Sequence, residues 1–186
     1  MSELFSGNYS FNKNSLENMN GLPIDIMGLV SNKIFFNKDS HYGVYVVKTE
    51  EYGYVNIQAV YENGLSIGQT YNFVGKVIDY KDETQIRATY VVHCKPVSKL
   101  GIISYLRTLP GLLGRADVIY QEFGKDSLDT MINNPKLVSD KIRGISYKSV
   151  LKWQSKLIEL GEEQNIYTTL LSYGLKQKHI KTRSEE

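Results

Sequence analysis

Apolar and polar positions along the chain follow two rhythms that change near its middle. From Pro23 the runs "IMGLVSNKIFF", "YGVYVVKT", "YGYVNIQAVY", "TYNFVGKVIDY" and "QIRATYVVHCKPV" are short, rich in β-branched and aromatic residues, and separated by turn formers. That texture predicts a series of five strands. In "TQIRATYVV", Ile86, Ala88, Tyr90 and Val92 alternate with Gln85, Arg87, Thr89 and Val91, which predicts one apolar face and one mixed face. Asp82 to Thr84 is expected to supply the hairpin between the last two strands. After Pro96 the apolar spacing becomes three and four. The stretches "LGIISYL", "RADVIYQEF", "SLDTMINN", "SYKSVLKWQSKLIEL" and "NIYTTLLSYGL" each predict a helix with one buried stripe.

Five short strands are too few for an immunoglobulin-type sandwich and suit a small closed barrel of the OB type. The expected fold is α+β. Residues 1–21, rich in Asn and Ser, read as a flexible N-terminal arm, or as one that docks on its own domain, because they offer little apolar area to offset the entropy of ordering. An OB-like five-stranded β-barrel is expected at 22–98, an all-α domain with tandem helix-hairpin-helix motifs at 99–175, and a polar tail or linker at 176–186.

Composition narrows the function classes. The 186 residues, 41% of them hydrophobic, suffice for one domain or two small ones. No run of eighteen apolar residues occurs, and "MSELFSGNYSFNKNSLENMN" has neither a basic n-region nor an apolar h-region, so no membrane partner is expected. A single cysteine, Cys94, cannot form an internal disulfide, and the expected compartment is the reducing cytoplasm. A net charge of +2 permits nucleic-acid binding without demanding it, so any basic footprint must be local. His41, His93 and His179 lack metal-ligand spacing to one another or to Cys94. Asp79, Asp82 and Glu83 gather at one hairpin, where acidic residues are ordinary. No Ser/His/Asp or Cys/His pair stands out, and the chain is expected to carry no catalytic, metal or cofactor site of its own.

Two glycine-bearing turns remain. "LPGLLGRADVIYQEFG" and "IRGISYKSVLKWQSKLI" both run apolar residue, glycine turn, basic residue, apolar helix. A helix start exposes unpaired N–H groups at the positive end of the helix dipole, and a glycine before it lets a phosphate approach. In the second turn Gly144 opens the approach, Ser146 can cap the helix, and Lys148 lies within its first turn, with Arg143, Lys152 and Lys156 close by. In the first turn the corresponding residues are Gly111, Gly114 and Arg115. Glycines that merely cap helices, beside a solvated lysine face, would leave the same pattern. On the barrel, Tyr45, Tyr54, Tyr71 and Tyr90, with Lys48, Lys76 and Arg87, are the candidates for stacking and holding a single strand, against core packing of the same tyrosines. Trp153 is expected to anchor the hairpin helices together.

From about Asp25 to about Leu175 the chain resembles the N-terminal region of bacterial RecD-like helicases of the RecD/TraA family. The segment "GLVSNKIFFNKDSHYGVYVVKT" is similar to that family's first two strands, and "QEFGKDSLDTMINNPKLVSDKIRGISYKSVLKW" to its linked hairpins. The resemblance implies an OB-like barrel before tandem helix-hairpin-helix motifs, with sequence-independent DNA binding in the service of a 5′ to 3′ helicase of repair or recombination. Two departures matter. The usual hairpin has glycine, an aliphatic residue and glycine, whereas the first turn reads Gly111-Leu112-Leu113-Gly114 and the second Gly144-Ile145-Ser146. DNA contact therefore carries over more firmly to Gly144, Ser146 and Lys148 than to Gly111, Gly114 and Arg115. No G-x-x-x-x-G-K-[ST] phosphate loop occurs, so ATP and Mg would belong to the motor of a parent helicase, and the chain reads either as the piece ahead of that motor or as a free-standing relative without one. The expected partners are DNA, single- or double-stranded, and possible dockings to a helicase motor or a single-strand-binding protein. A RuvA-like junction binder and a pure protein-interaction module are the rivals.

Overall fold

A computed structural model describes residues 15–172. The expectations placed on 1–14 and 173–186, including His179 and the end of "LLSYGL", lie outside the described residues. Five strands come first: β1 (Pro23–Phe36), β2 (Tyr42–Thr49), β3 (Gly53–Val60), β4 (Thr70–Tyr80) and β5 (Glu83–His93). They close into a barrel in the order β1-β2-β3-β5-β4, with β4 returning to β1. This closed five-stranded barrel is OB-like. β1 makes the closure possible because it serves two neighbours. Its first half, Pro23–Leu29, pairs with β4, and its second half, Gly28–Phe36, pairs with β2. Register shifts between Val30 and Asn32 and between Lys33 and Phe35 bend it from one partner to the other.

The closing seam is short. β3 and β5 run parallel and match only Ile57 with Ile86 and Gln58 with Arg87. Outside it, side chains form a ladder: Arg87 Nε donates to Gln58 Oε1 at 3.4 Å, Gln58 Nε2 to Gln85 Oε1 at 3.0 Å, and Gln85 Nε2 to Glu83 Oε2 at 3.4 Å. Asn56 Nδ2 donates to the same Glu83 oxygen at 3.3 Å.

Two local expectations are corrected. The β4–β5 hairpin turns at Lys81–Asp82, not at 82–84, and both residues have positive φ, 49° and 63°, the signature of a tight two-residue turn whose twist matches the strands. The alternation in β5 also breaks. Val74 faces Tyr90 while Gly75 faces Ala88, so Thr89 is an extra residue. Ile86 and Ala88 face the barrel core, but beyond the bulge it is Val91, not Val92, that joins them.

Tyr45, Ile57, Phe73, Val77 and Ile86 fill the barrel. Leu16 is buried among them and Met19 packs against the same cluster, while the Gly21 amide donates to the Val77 carbonyl at 2.8 Å. The described end of the N-terminal arm is thus docked, because one leucine among polar neighbours finds the open mouth of the barrel.

Helices follow: α1 (Lys99–Thr108), α2 (Ala116–Phe123), a single 3-10 turn (Gly124–Asp126), α3 (Ser127–Asn133), α4 (Pro135–Lys141) and α5 (Tyr147–Ser172). Ser98 caps α1 by accepting the Gly101 amide hydrogen, and Asn134 caps α4 by accepting that of Leu137, with Pro135 opening the helix. Leu106, Leu112, Ile119, Met131, Val138, Val150 and Trp153 build a second core, separate from that of the barrel. The two are joined by polar contacts: Ser104 Oγ donates to the Gly68 carbonyl at 2.9 Å, and the Lys95 amide to Gln164 Oε1 at 3.2 Å. Among the described residues no helix is long and apolar enough to cross a membrane.

Candidate nucleic-acid interface

The second turn is held from below and bare above. Ile142 and Ile145 are buried in the helical core, the Ile142 amide donates to the Val138 carbonyl at 3.0 Å, and that of Ile145 to the Ile142 carbonyl at 3.2 Å. These bonds force the chain to reverse between the isoleucines, and Gly144 takes φ 80°, a conformation that side chains disfavour. Arg143 and Gly144 are left on the surface. Ser146 then starts α5. Its Oγ accepts the Ser149 amide hydrogen at 3.2 Å and lies 2.9 Å from Ser149 Oγ. The amides of Tyr147 and Lys148 are the helix-start donors left without an intrahelical partner.

Around this start the charge is one-sided. No acidic residue lies in the first turn of α5. Arg143, Lys148, Lys152 and Lys156 are all exposed, and none forms an ion pair among the described residues. Lys148, Lys152 and Lys156 are spaced four apart, so they form a stripe leading away from the helix start, opposite the buried Val150, Trp153 and Leu157.

The first turn differs in the feature that decides anion binding. Gly111 (φ 85°) and Gly114 are open, and a Cβ at either would meet nothing within 4 Å. Leu112 is fully buried, and Ile145 is buried at the like place in the second turn, but the additional Leu113 stands 73% exposed at the tip. Asp117 lies in the first turn of α2 and is bonded to Arg107 at 2.9 Å. A carboxylate already occupies the positive end of that helix, which repels a phosphate.

The two turns meet. Arg115 donates from Nη1 to the Gly144 carbonyl, and a Cβ built on Gly144 would lie 2.8 Å from Arg115 Nη2. Trp153 Nε1 donates to the Pro110 carbonyl at 3.2 Å, so the anchor of the second unit also holds the first turn. The structure thus gathers Arg143, Gly144, Ser146, Lys148 and Arg115 at one place. Gly111 and Gly114 sit in the neighbouring turn, and Lys152 one helical turn further along α5.

The barrel tyrosines separate into two groups. Tyr45 and Tyr71 are buried, and their hydroxyls accept the Leu65 and Ser66 amide hydrogens at 3.2 and 3.0 Å. Burial pushes both phenols above their ordinary range, against the smaller pull of those bonds. They fasten a loop and, being buried, offer no ring face to a base from outside. Tyr54 is 62% exposed, with Lys48 Nζ 5.5 Å from its ring centre, and it stands on the outer face of β3 beside Asn56. Tyr90 is half-buried, whereas Lys76 is exposed and Arg87 is held in the seam ladder. Phe35, Tyr42 and Tyr80 also reach the surface, Phe35 and Tyr42 with ring centres 6.2 Å apart and Tyr80 with Lys81 Nζ 5.3 Å from its ring. The run "KIFF" carried a signal for Phe35, since two adjacent aromatics in a strand cannot both point inward. At the acidic hairpin, Asp79 accepts from Thr84 Oγ1 at 3.1 Å and Glu83 belongs to the ladder, so those two carboxylates have protein partners.

No protein-family model matches the chain, and no curated protein does. Among solved structures, a chain of the Stn1-Ten1 complex of S. pombe is similar over 52% of this chain and 74% of its own, at 10% identity and a TM-score of 0.34. The description of the barrel as OB-like rests on its strand order and closure.

Proposed function

We propose that this chain is a sequence-independent DNA-binding module that holds backbone phosphate at the Gly144 turn, and that it serves a RecD-like helicase whose motor supplies the ATP and Mg chemistry. The observation that carries the DNA reading is the start of α5: an exposed glycine turn, a serine cap, no carboxylate in the first turn and unpaired Arg143, Lys148 and Lys152 around it. A phosphate oxygen there would accept from the Tyr147 and Lys148 amides, while the Lys148 ammonium neutralises its charge. Such contacts leave the bases unread, so affinity should fall steeply with salt and vary little with sequence.

The RecD-like assignment is supported by the order of parts, a barrel followed by two helix-turn-helix units joined by α3, and by the motif resemblance. On this reading the second unit is the working hairpin, and the first, with Asp117 at its helix start and Leu113 at its tip, is a support. Titrating a labelled duplex, a single strand and a four-way junction at two salt concentrations tests it. Binding to duplex or single strand that weakens with salt is expected. No binding to any of the three at low salt refutes the DNA reading, and a strong preference for the junction replaces the helicase assignment with a junction binder.

A further inference from the structure

Arg115 sits at the start of a helix that carries its own carboxylate, yet its guanidinium points to the other turn and has no acidic partner among the described residues. It fills the space that the missing Gly144 side chain leaves. A Cβ there would lie 2.8, 3.0 and 3.2 Å from Nη2, Nη1 and Cζ. The carbonyl that it binds belongs to the residue whose φ of 80° sets the reversal into α5. Without a partner that carbonyl could rotate, and with it the peptide that aims the following amides at the helix start.

We infer that Arg115 is a positioning residue for the Gly144 turn: it locks the Gly144 peptide so that the amides of the turn and of the α5 start are preset for a phosphate. The inference rests on the proposed DNA reading and gives the first unit a purpose within it. Backbone conformation is what favours glycine at 144, and the bare Cα then leaves room for a guanidinium from 29 positions earlier in the chain. A lysine cannot replace Arg115, because a single ammonium on a flexible stem lacks the planar fork that lies flat over a glycine.

Direct contact and positioning differ in how they alter salt dependence. Removing a residue that neutralises a phosphate lowers the slope of log K against log salt by about 0.9 for duplex DNA, whereas removing one that only presets the site lowers affinity at unchanged slope. We expect Arg115→Ala to weaken duplex binding about tenfold, the scale of one lost charge-assisted hydrogen bond, with the wild-type slope. Arg115→Lys should not restore it, and Lys148→Ala should lower the slope. Amide hydrogen exchange without DNA should accelerate in Arg115→Ala at Ile145, Ser149 and Val150, the hydrogen-bonded amides that flank the turn, while the barrel strands stay as in the wild type. A slope reduced by about 0.9 in Arg115→Ala, or full rescue by lysine, overturns positioning in favour of direct contact. Unchanged affinity and unchanged exchange at Ile145, Ser149 and Val150 overturn it altogether. If the wild type binds no DNA but exchange still accelerates, the lock stands and the DNA reading falls.

Discussion

Lys148→Glu reverses one charge in the first turn of α5 and tests the site against the fold. The side chain is exposed and unpaired, so its removal breaks no ion pair among the described residues. A carboxylate at that position lies at the positive end of the helix, where it stabilises by about 0.3–1 kcal/mol, enough to raise Tm by about 1–3 °C in a chain of this size. DNA should respond in the opposite direction. A lysine about 4 Å from a phosphate in water contributes about 1 kcal/mol, and its reversal makes a swing of about 2 kcal/mol, or about thirtyfold in affinity. Losing one phosphate contact also flattens the salt response. Between about 50 and about 200 mM salt the wild type should lose about 3.5-fold more affinity than the variant. Fluorescence anisotropy with a labelled duplex across that range, alongside thermal melts, reads both quantities. A variant that keeps wild-type affinity and slope refutes phosphate binding at α5. A variant that melts several degrees lower shows that Lys148 holds the fold and that its loss cannot be read as a lost contact.

Three further outcomes follow from the packing. Trp153→Phe keeps most of the buried ring but leaves the Pro110 carbonyl without its donor, which should cost about 1–2 kcal/mol in urea unfolding; an unchanged midpoint would mean that water replaces the bond. Gly75→Ala places a methyl 2.8 Å from the Ala88 Cα across the β5 bulge, where backbone cannot step aside, and should destabilise by about 3 kcal/mol. A midpoint within error of the wild type would show that the bulge is not packed as described. His93 stacks on Tyr71 with ring centres 4.9 Å apart, lies 3.1 Å from Gln69 Oε1, and is held by burial below its ordinary value of 6.5. The unfolded chain then takes up the proton first, so this histidine's contribution is complete above pH 6.5 and is lost as pH falls from 6.5 through the depressed folded value. Urea midpoints between pH 7 and pH 5 should drop more steeply for the wild type than for His93→Gln, and parallel profiles would contradict this.

The five strands and α1, α2, α3 and α5 were legible because each carried its own period, with the change at Pro96; α4 offered no such run, and "SYKSVLKWQSKLIEL" and "NIYTTLLSYGL", expected as two helices, lie in one continuous α5 as far as Ser172. Faces were less legible. Thr89 interrupts the alternation of β5 for a reason that lies in β4, where Gly75 lets the neighbouring backbone close in. Tyr45, Tyr54 and Tyr71 are alike as residue types, and only the closed barrel decides that two hold a loop inside while one stands beside Lys48 outside. Leu16 and Met19 gave too little signal, since two apolar residues in a polar stretch become a plug only once a barrel mouth exists. At the candidate site the glycine turns, the cap and the lysine stripe were written locally. The reach of Arg115 to Gly144 was not, because it depends on how two helical units lean on each other.

The short seam between β3 and β5 sets how the barrel breathes. Every other strand pair is stitched along most of its length, whereas this one matches at two positions and relies on side-chain amides laid across its outside. Transient opening should therefore start there, like a cylinder unrolling along its weakest weld while its wall stays intact. Gln58 and Gln85, buried and bonded to each other, act as the latch of that weld, so the tightness of the barrel can be tuned at these two positions without touching its apolar core.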